Sequence, residues 1–192
     1  MSNLSEVKSY FRDIKMSILL SDRFNFKVDD TNLNDSFNFL RKNKAVIKYT
    51  NELGAILTGS RALSSYSVNG GKILERKPRD WDFLITKKMA FDICDKFNIE
   101  YNLTDKVINI DTQIVQFYPS YSDIPNRYFV QDVQLIIVNE LPSFVKGEKY
   151  KIAELSYILE EKIKGVEYHK NKYSKSKHLS DLNKIIVKLE NQ

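Results

Sequence analysis

The chain has 192 residues, 42% hydrophobic and 29% charged, with only 6 Gly and 4 Pro; this suits one compact domain with helical additions and excludes collagenous and low-complexity classes. Its formal net charge is +5. No run of about 18 apolar residues occurs, so no membrane span is expected, and the opening Met1-Ser-Asn-Leu-Ser-Glu6 has neither the basic nor the apolar region of a secretion signal. Cys94 is the sole cysteine. It cannot form an internal disulfide and reads as an inert buried thiol in a reducing, cytoplasmic setting.

In chain order, Val7, Phe11, Ile14 and Ile18 recur at helical spacing after Ser5, a candidate cap. A second helical stretch follows Asp30-Thr31, with Leu33, Phe37 and Leu40 on one face, and restarts through Ala45 to Asn51. Gly54-Ala-Ile-Leu-Thr58 is a short buried strand closed by Gly59, and Arg61 to Tyr66 opens a helix. Asn69-Gly70-Gly71 is a turn. Asp80 to Thr86 (DWDFLIT) reads as a strand, and Lys87 to Phe97 as an amphipathic helix with Ala90, Ile93, Cys94 and Phe97 inward. Two strands, Lys106 to Ile110 and Gln113 to Tyr118, are expected to join tightly at Asp111-Thr112; a loop covers 119–127 and Val133 to Val138 forms another strand. The rest reads as helical. Ile152, Leu155, Ile158, Leu159 and Ile163 share a face that stops at Gly165, and a last helix follows Ser174 or Ser176 with Leu179, Leu182, Ile185, Ile186 and Leu189 inward. The expected fold class is therefore α+β with an α/β-like core: a small mixed sheet between N-terminal helices and a C-terminal helical pair.

Two short patterns carry chemistry. On a strand, Asp80 and Asp82 point to the same side while Trp81 and Phe83 point to the other. Two carboxylates held together in a partly dry site repel each other, a cost that a bound Mg²⁺ or Mn²⁺ removes. The plainer alternative is a chance Asp-x-Asp at an exposed strand start. The second pattern is the apolar strand running into Gly59-Ser60 and a helix. Glycine lets a ligand approach the backbone, Ser60 adds a hydroxyl, and Arg61 adds a nearby charge. Its plainer alternative is an ordinary capped turn.

The order of apolar strand, Gly-Ser, helix and then strand Asp-x-Asp resembles the signature of the nucleotidyltransferase superfamily, which includes polymerase beta, kanamycin nucleotidyltransferase and the minimal nucleotidyltransferases. The ending, Tyr150 to Lys162 and then Ser176-Lys-His-Leu-Ser-Asp181-Leu, is similar to that of toxin-type and abortive-infection members. The resemblance covers roughly residues 54 to 190. It implies a core over 54–145 and C-terminal helices over 146–192 forming one wall of the cleft; residues 1–53, outside the resemblance, are expected to be a helical extension that packs on the core or binds a partner. It further implies that Gly59 and Ser60 contact a nucleoside triphosphate and that Asp80 and Asp82 bind catalytic Mg²⁺ or Mn²⁺; Arg61, by its nearby charge, is a further candidate for the nucleotide, and Lys177 is either another or one half of a surface ion pair. The expected reaction is transfer of a nucleoside monophosphate to an acceptor hydroxyl of RNA, protein or a small molecule, with a toxin–antitoxin-type partner among the family's associations. For Asp181 a surface ion pair with Lys177 is the plainer reading.

One feature departs from the family: a third carboxylate is usual on a later strand, and Gln113 to Tyr118 offers Val115 or Gln116 there. Asp111 is the nearest candidate, although aspartate also suits a hairpin turn. A fold retained for nucleotide binding without turnover is the alternative this departure favours. From Lys146 onward the chain carries eleven Lys against six Glu and one Asp, and Tyr168 to His178 holds four Lys, two His and no acid. That segment is either a solvated connector or a nucleic-acid contact, and the latter would make the protein a binding module. His169 and His178 lie among lysines and do not suggest zinc; no Cys-x-x-Cys, Walker P-loop or Gly-x-Ser-x-Gly is present.

Overall fold

The computed structural model describes residues 5–7, 9, 25–31, 33, 41–76, 78, 80–100, 106–110, 133–168 and 172–190. Phe11, Ile14, Ile18, Phe37, Leu40, Asp111, His169, the expected strand 113–118 and the expected loop 119–127 lie outside the described residues. The architecture is α+β, with a three-stranded and a six-stranded sheet. Its strands are β1 (Phe26–Val28), β2 (Ile56–Thr58), β3 (Tyr66–Val68), β4 (Gly71–Lys72), β5 (Trp81–Thr86), β6 (Val107–Ile110), β7 (Val133–Val138), β8 (Phe144–Lys146) and β9 (Lys151–Ala153). The helices are α1 (Arg41–Glu52), α2 (Gly59–Ser65), α3 (Lys87–Phe97), α4 (Leu155–Tyr168) and α5 (Lys172–Glu190). Among the described residues no helix is long and apolar enough to cross a membrane.

The larger sheet runs β6-β7-β5-β2-β9-β8. Strand β5 is central: it pairs antiparallel with β2 and parallel with β7. Its aromatic and branched residues suit a strand flanked on both sides. Trp81, Phe83 and Ile85 are buried on one face, and Trp81 and Phe83 stack at 6.0 Å beside Tyr150. Asp82 and Leu84 occupy the other face by alternation. A parallel pair needs a crossover, and α3 supplies part of it. Thr86 caps that helix by accepting from the Met89 N–H at 3.3 Å, and Asn98 ends it in a left-handed conformation. Ala90 and Ile93 are fully buried. The α3 span and its inward face match the periodicity.

The smaller sheet is β1-β3-β4, its β3–β4 hairpin closed by Asn69-Gly70. Asp30 ties the N-terminal segment to the core. Its buried carboxylate accepts from the N–H groups of Glu148, Lys149 and Tyr150 at 2.8–2.9 Å.

Three expectations from the tail are corrected. Lys151–Ala153 is a strand, not the start of a helix. Its backbone groups pair with β2 (Leu57 opposite Ile152), and the helix begins only at Leu155. Gly165 is no stop, since α4 continues to Tyr168; it lies against His178 of α5. A Cβ there would fall 2.7 Å from the His178 ring. The last helix starts at Lys172, before Ser174 and Ser176, so much of the basic segment is helical rather than a connector. Strands β1, β3, β4 and β8 have no counterpart among the sequence expectations, and the helix expected over Arg61–Tyr66 runs over Gly59–Ser65.

Candidate functional site

The β2–α2 turn and the start of β5 meet at a cavity of about 340 Å³. Gly59, Ser60, Asp80 and Asp82 all line it. The antiparallel register explains the encounter: Thr58, the last residue of β2, sits opposite Asp82. The residue after Thr58 is therefore delivered against the Asp82 side chain. Gly59 has φ +68°, and a Cβ on it would fall onto the Asp82 carboxylate. Glycine is required here twice, for the backbone angle and for the space. Gly59→Ala is expected to cost roughly 2 kcal/mol in urea unfolding and to push the Asp82 carboxylate out of place. An unfolding curve equal to that of wild type would contradict this packing.

Burial first, and then the neighbouring Asp80 charge, push the Asp82 carboxyl up to about 6. Lys177, Lys162 and Arg61 pull in the other direction without prevailing. Among the described residues neither carboxylate has a hydrogen-bond or ion-pair partner. This donor set fits a hard, oxygen-seeking cation: two carboxylates, one of them in a site that penalises its charge. Among the described residues no cluster of three or more His, Cys, Asp or Glu forms a metal cage, so such a cation would complete its shell with phosphate and water oxygens. On the other side of Asp82, in register on β7, stands Gln134, which also lines the cavity. The expected third carboxylate, Asp111, lies outside the described residues.

The opposite wall comes from the C-terminal helices. Tyr157, Ile158 and Lys162 of α4 and Lys177 and His178 of α5 line the cavity. Arg61 does not line the cavity, which corrects the expectation that it meets the ligand. Its side chain is buried, donating to the backbone carbonyls of Asp80, Leu33 and Pro78, with the guanidinium 4.2 Å above the Trp81 ring. It braces the entry to β5.

A buried ionic cluster behind Ser60 escaped the sequence reading. Arg76 donates to both Asp181 oxygens at 2.8 and 2.6 Å, and Lys162 donates to Asp181 Oδ2 at 2.9 Å. Both cations also donate to Ser60 Oγ, Arg76 at 2.8 Å and Lys162 at 3.3 Å. Burial alone would raise the Asp181 carboxyl, but Arg76 and Lys162 bring it down to about 2. Asp181 is therefore no surface partner of Lys177. Arg76 and Asp181 lie 105 residues apart in the chain, so no local spacing signals them. No protein-family model, curated protein or solved structure matches the chain.

Proposed function

We propose that this protein is a divalent-metal-dependent nucleotidyltransferase that moves a nucleoside monophosphate from a nucleoside triphosphate to an acceptor hydroxyl. The observation that carries the reading is the seating of the Asp82 carboxylate against Gly59, with Asp80 and Ser60 in the same cavity. Asp80 and Asp82 lie at the start of β5, and Lys162 and Lys177 stand on the facing helices, where Glu161 also lines the cavity; a metal–triphosphate complex needs both kinds of charge within reach. Asp80 and Asp82 would hold Mg²⁺ or Mn²⁺, which when bound supplies charge neutralisation at the phosphates. Ser60 would donate to a phosphate oxygen, and Lys162 and Lys177 would balance the triphosphate charge. In the transfer the acceptor oxygen bonds to the α-phosphorus, the α–β bridging bond breaks, pyrophosphate leaves and the hydroxyl proton passes to water. Tyr168 and Tyr173, exposed on the basic segment, suit contact with a nucleic-acid acceptor.

Gln134 beside Asp82 favours a second reading, a protein that binds nucleotide without turning it over. Incubating the purified chain with labelled nucleoside triphosphates, Mg²⁺ or Mn²⁺, and total RNA or cell lysate decides between them. Label transferred covalently supports the enzyme. Metal-dependent retention of intact triphosphate with no transfer supports the second reading, and failure to bind any triphosphate overturns both.

A further inference from the structure

Ser60 lines the cavity, yet its Oγ already accepts two cationic N–H groups, Arg76 Nη2 at 2.8 Å and Lys162 Nζ at 3.3 Å. A hydroxyl has two acceptor lone pairs and one proton. With both lone pairs engaged, the only capacity left to Ser60 is donation. Two positive charges on the oxygen also make that O–H a stronger donor, because hydrogen bonds in a chain polarise one another in a low-dielectric setting. Asp181 holds the arrangement in place. Its two oxygens grip Arg76 and Lys162, and its side chain, like that of Lys162, is almost fully buried. Neither Arg76 nor Asp181 lines the cavity itself.

We propose that Arg76 and Asp181 are positioning residues that set Ser60 as an obligate donor, so that the cavity accepts a deprotonated, phosphate-type oxygen at that point and refuses a ligand hydroxyl that must donate. The inference rests on the nucleotidyltransferase reading of the same cavity and adds to it which residues, remote from the ligand, make the phosphate subsite selective. Burial lowers the Lys162 pKa, with the Asp181 charge opposing that shift, and Asp181 Oδ2 accepts a hydrogen bond from its Nζ at 2.9 Å.

The test is a double-mutant cycle on the full chain, with inorganic tripolyphosphate as the calorimetric probe in the presence of Mg²⁺. Ser60→Ala and Arg76→Gln should each weaken binding by about tenfold, the effect of one charge-assisted hydrogen bond. In the Ser60→Ala background, Arg76→Gln should cost little more than twofold, because its action runs through the missing hydroxyl. A merely structural role, or direct contact of Arg76 with the ligand, leaves the two losses additive, and additive losses overturn the proposal. Should Arg76→Gln not fold, Asp181→Asn, which keeps the side-chain shape, replaces it in the same cycle with the same expected coupling. If the wild-type protein binds neither tripolyphosphate nor ATP, the functional reading itself fails, an outcome distinct from additive losses.

Discussion

Asp82→Asn is expected to lower metal-dependent nucleotide transfer by about a thousandfold or more while stabilising the metal-free protein at neutral pH. The first effect follows from losing one of the two carboxylates that would hold the cation. The second follows from the price of keeping that carboxylate where it is. Burial and then Asp80 push the Asp82 carboxyl up from its ordinary 3.8 to about 6. The folded protein thus holds this proton more tightly than the unfolded chain, so its stability declines as pH rises through the interval between those values, and the penalty is complete above the upper one. At about 1.4 kcal/mol per pH unit, the interval corresponds to roughly 3 kcal/mol. Asparagine cannot ionise, so the variant escapes the penalty. Urea unfolding with a chelator present should show the variant more stable at about pH 7.5 and equal to wild type below about pH 4. Equal transfer by wild type and variant removes Asp82 from the site, and a variant less stable at the higher pH refutes the account of its burial. A gain in stability coupled to a loss of function is what a group kept for chemistry rather than for the fold should show.

The parts of this site that are legible in the sequence are those whose signal is local. The strand β5 alternates within six residues, so the side taken by Asp82 can be read from spacing alone, with Asp80 just before it lining the same cavity, and Gly59-Ser60 interrupts an apolar run where a chain must turn. Helix α3 carries its own period, N-cap and C-cap, and its span Lys87–Phe97 is the one that the periodicity predicts. The failures are equally physical. Ile152 falls at helical spacing with Leu155 and Leu159, but its backbone pairs with Leu57, nearly a hundred residues earlier, and a three-residue strand has too few positions for alternation to appear. Arg61 next to Gly-Ser looks like a ligand for phosphate, whereas the carbonyls that capture it come from Leu33, Pro78 and Asp80. Gly165 resembles a helix stop until His178 of another helix is placed against it. Arg76, Lys162 and Asp181 belong to a loop and two helices, and only the packed fold makes a cluster of them. Charge in a sequence is visible; its partner is not.

That cluster supplies the largest stability effect. Asp181→Ala is expected to destabilise the protein by about 3–5 kcal/mol, the cost of breaking a buried pair from one side. The side chains of Lys162 and Asp181 are 4% and 2% exposed, so removal of the anion leaves a nearly solvent-free ammonium group without its ion-pair partner. Arg76, at 27%, can turn toward water and suffers less. Replacing the pair together, with Lys162→Met and Asp181→Leu, should restore much of the lost stability, since an apolar pair of similar volume carries no desolvation penalty. Transfer activity should not return with it, because Ser60 then lacks one of its cationic donors and the cavity lacks a lysine. The pH dependence has a definite sign. The folded-state pKa of Asp181 is depressed from 3.8 to about 2, so its contribution is fully present above the first value and disappears as pH falls through the second. Urea unfolding of wild type and Asp181→Ala should therefore give curves that differ most near neutrality and converge in strong acid. A loss below about 1 kcal/mol for Asp181→Ala at neutral pH would mean that Lys162 finds water or sheds its proton at little cost, and that the ion cluster is not what holds α4, α5 and the Ser60 turn together.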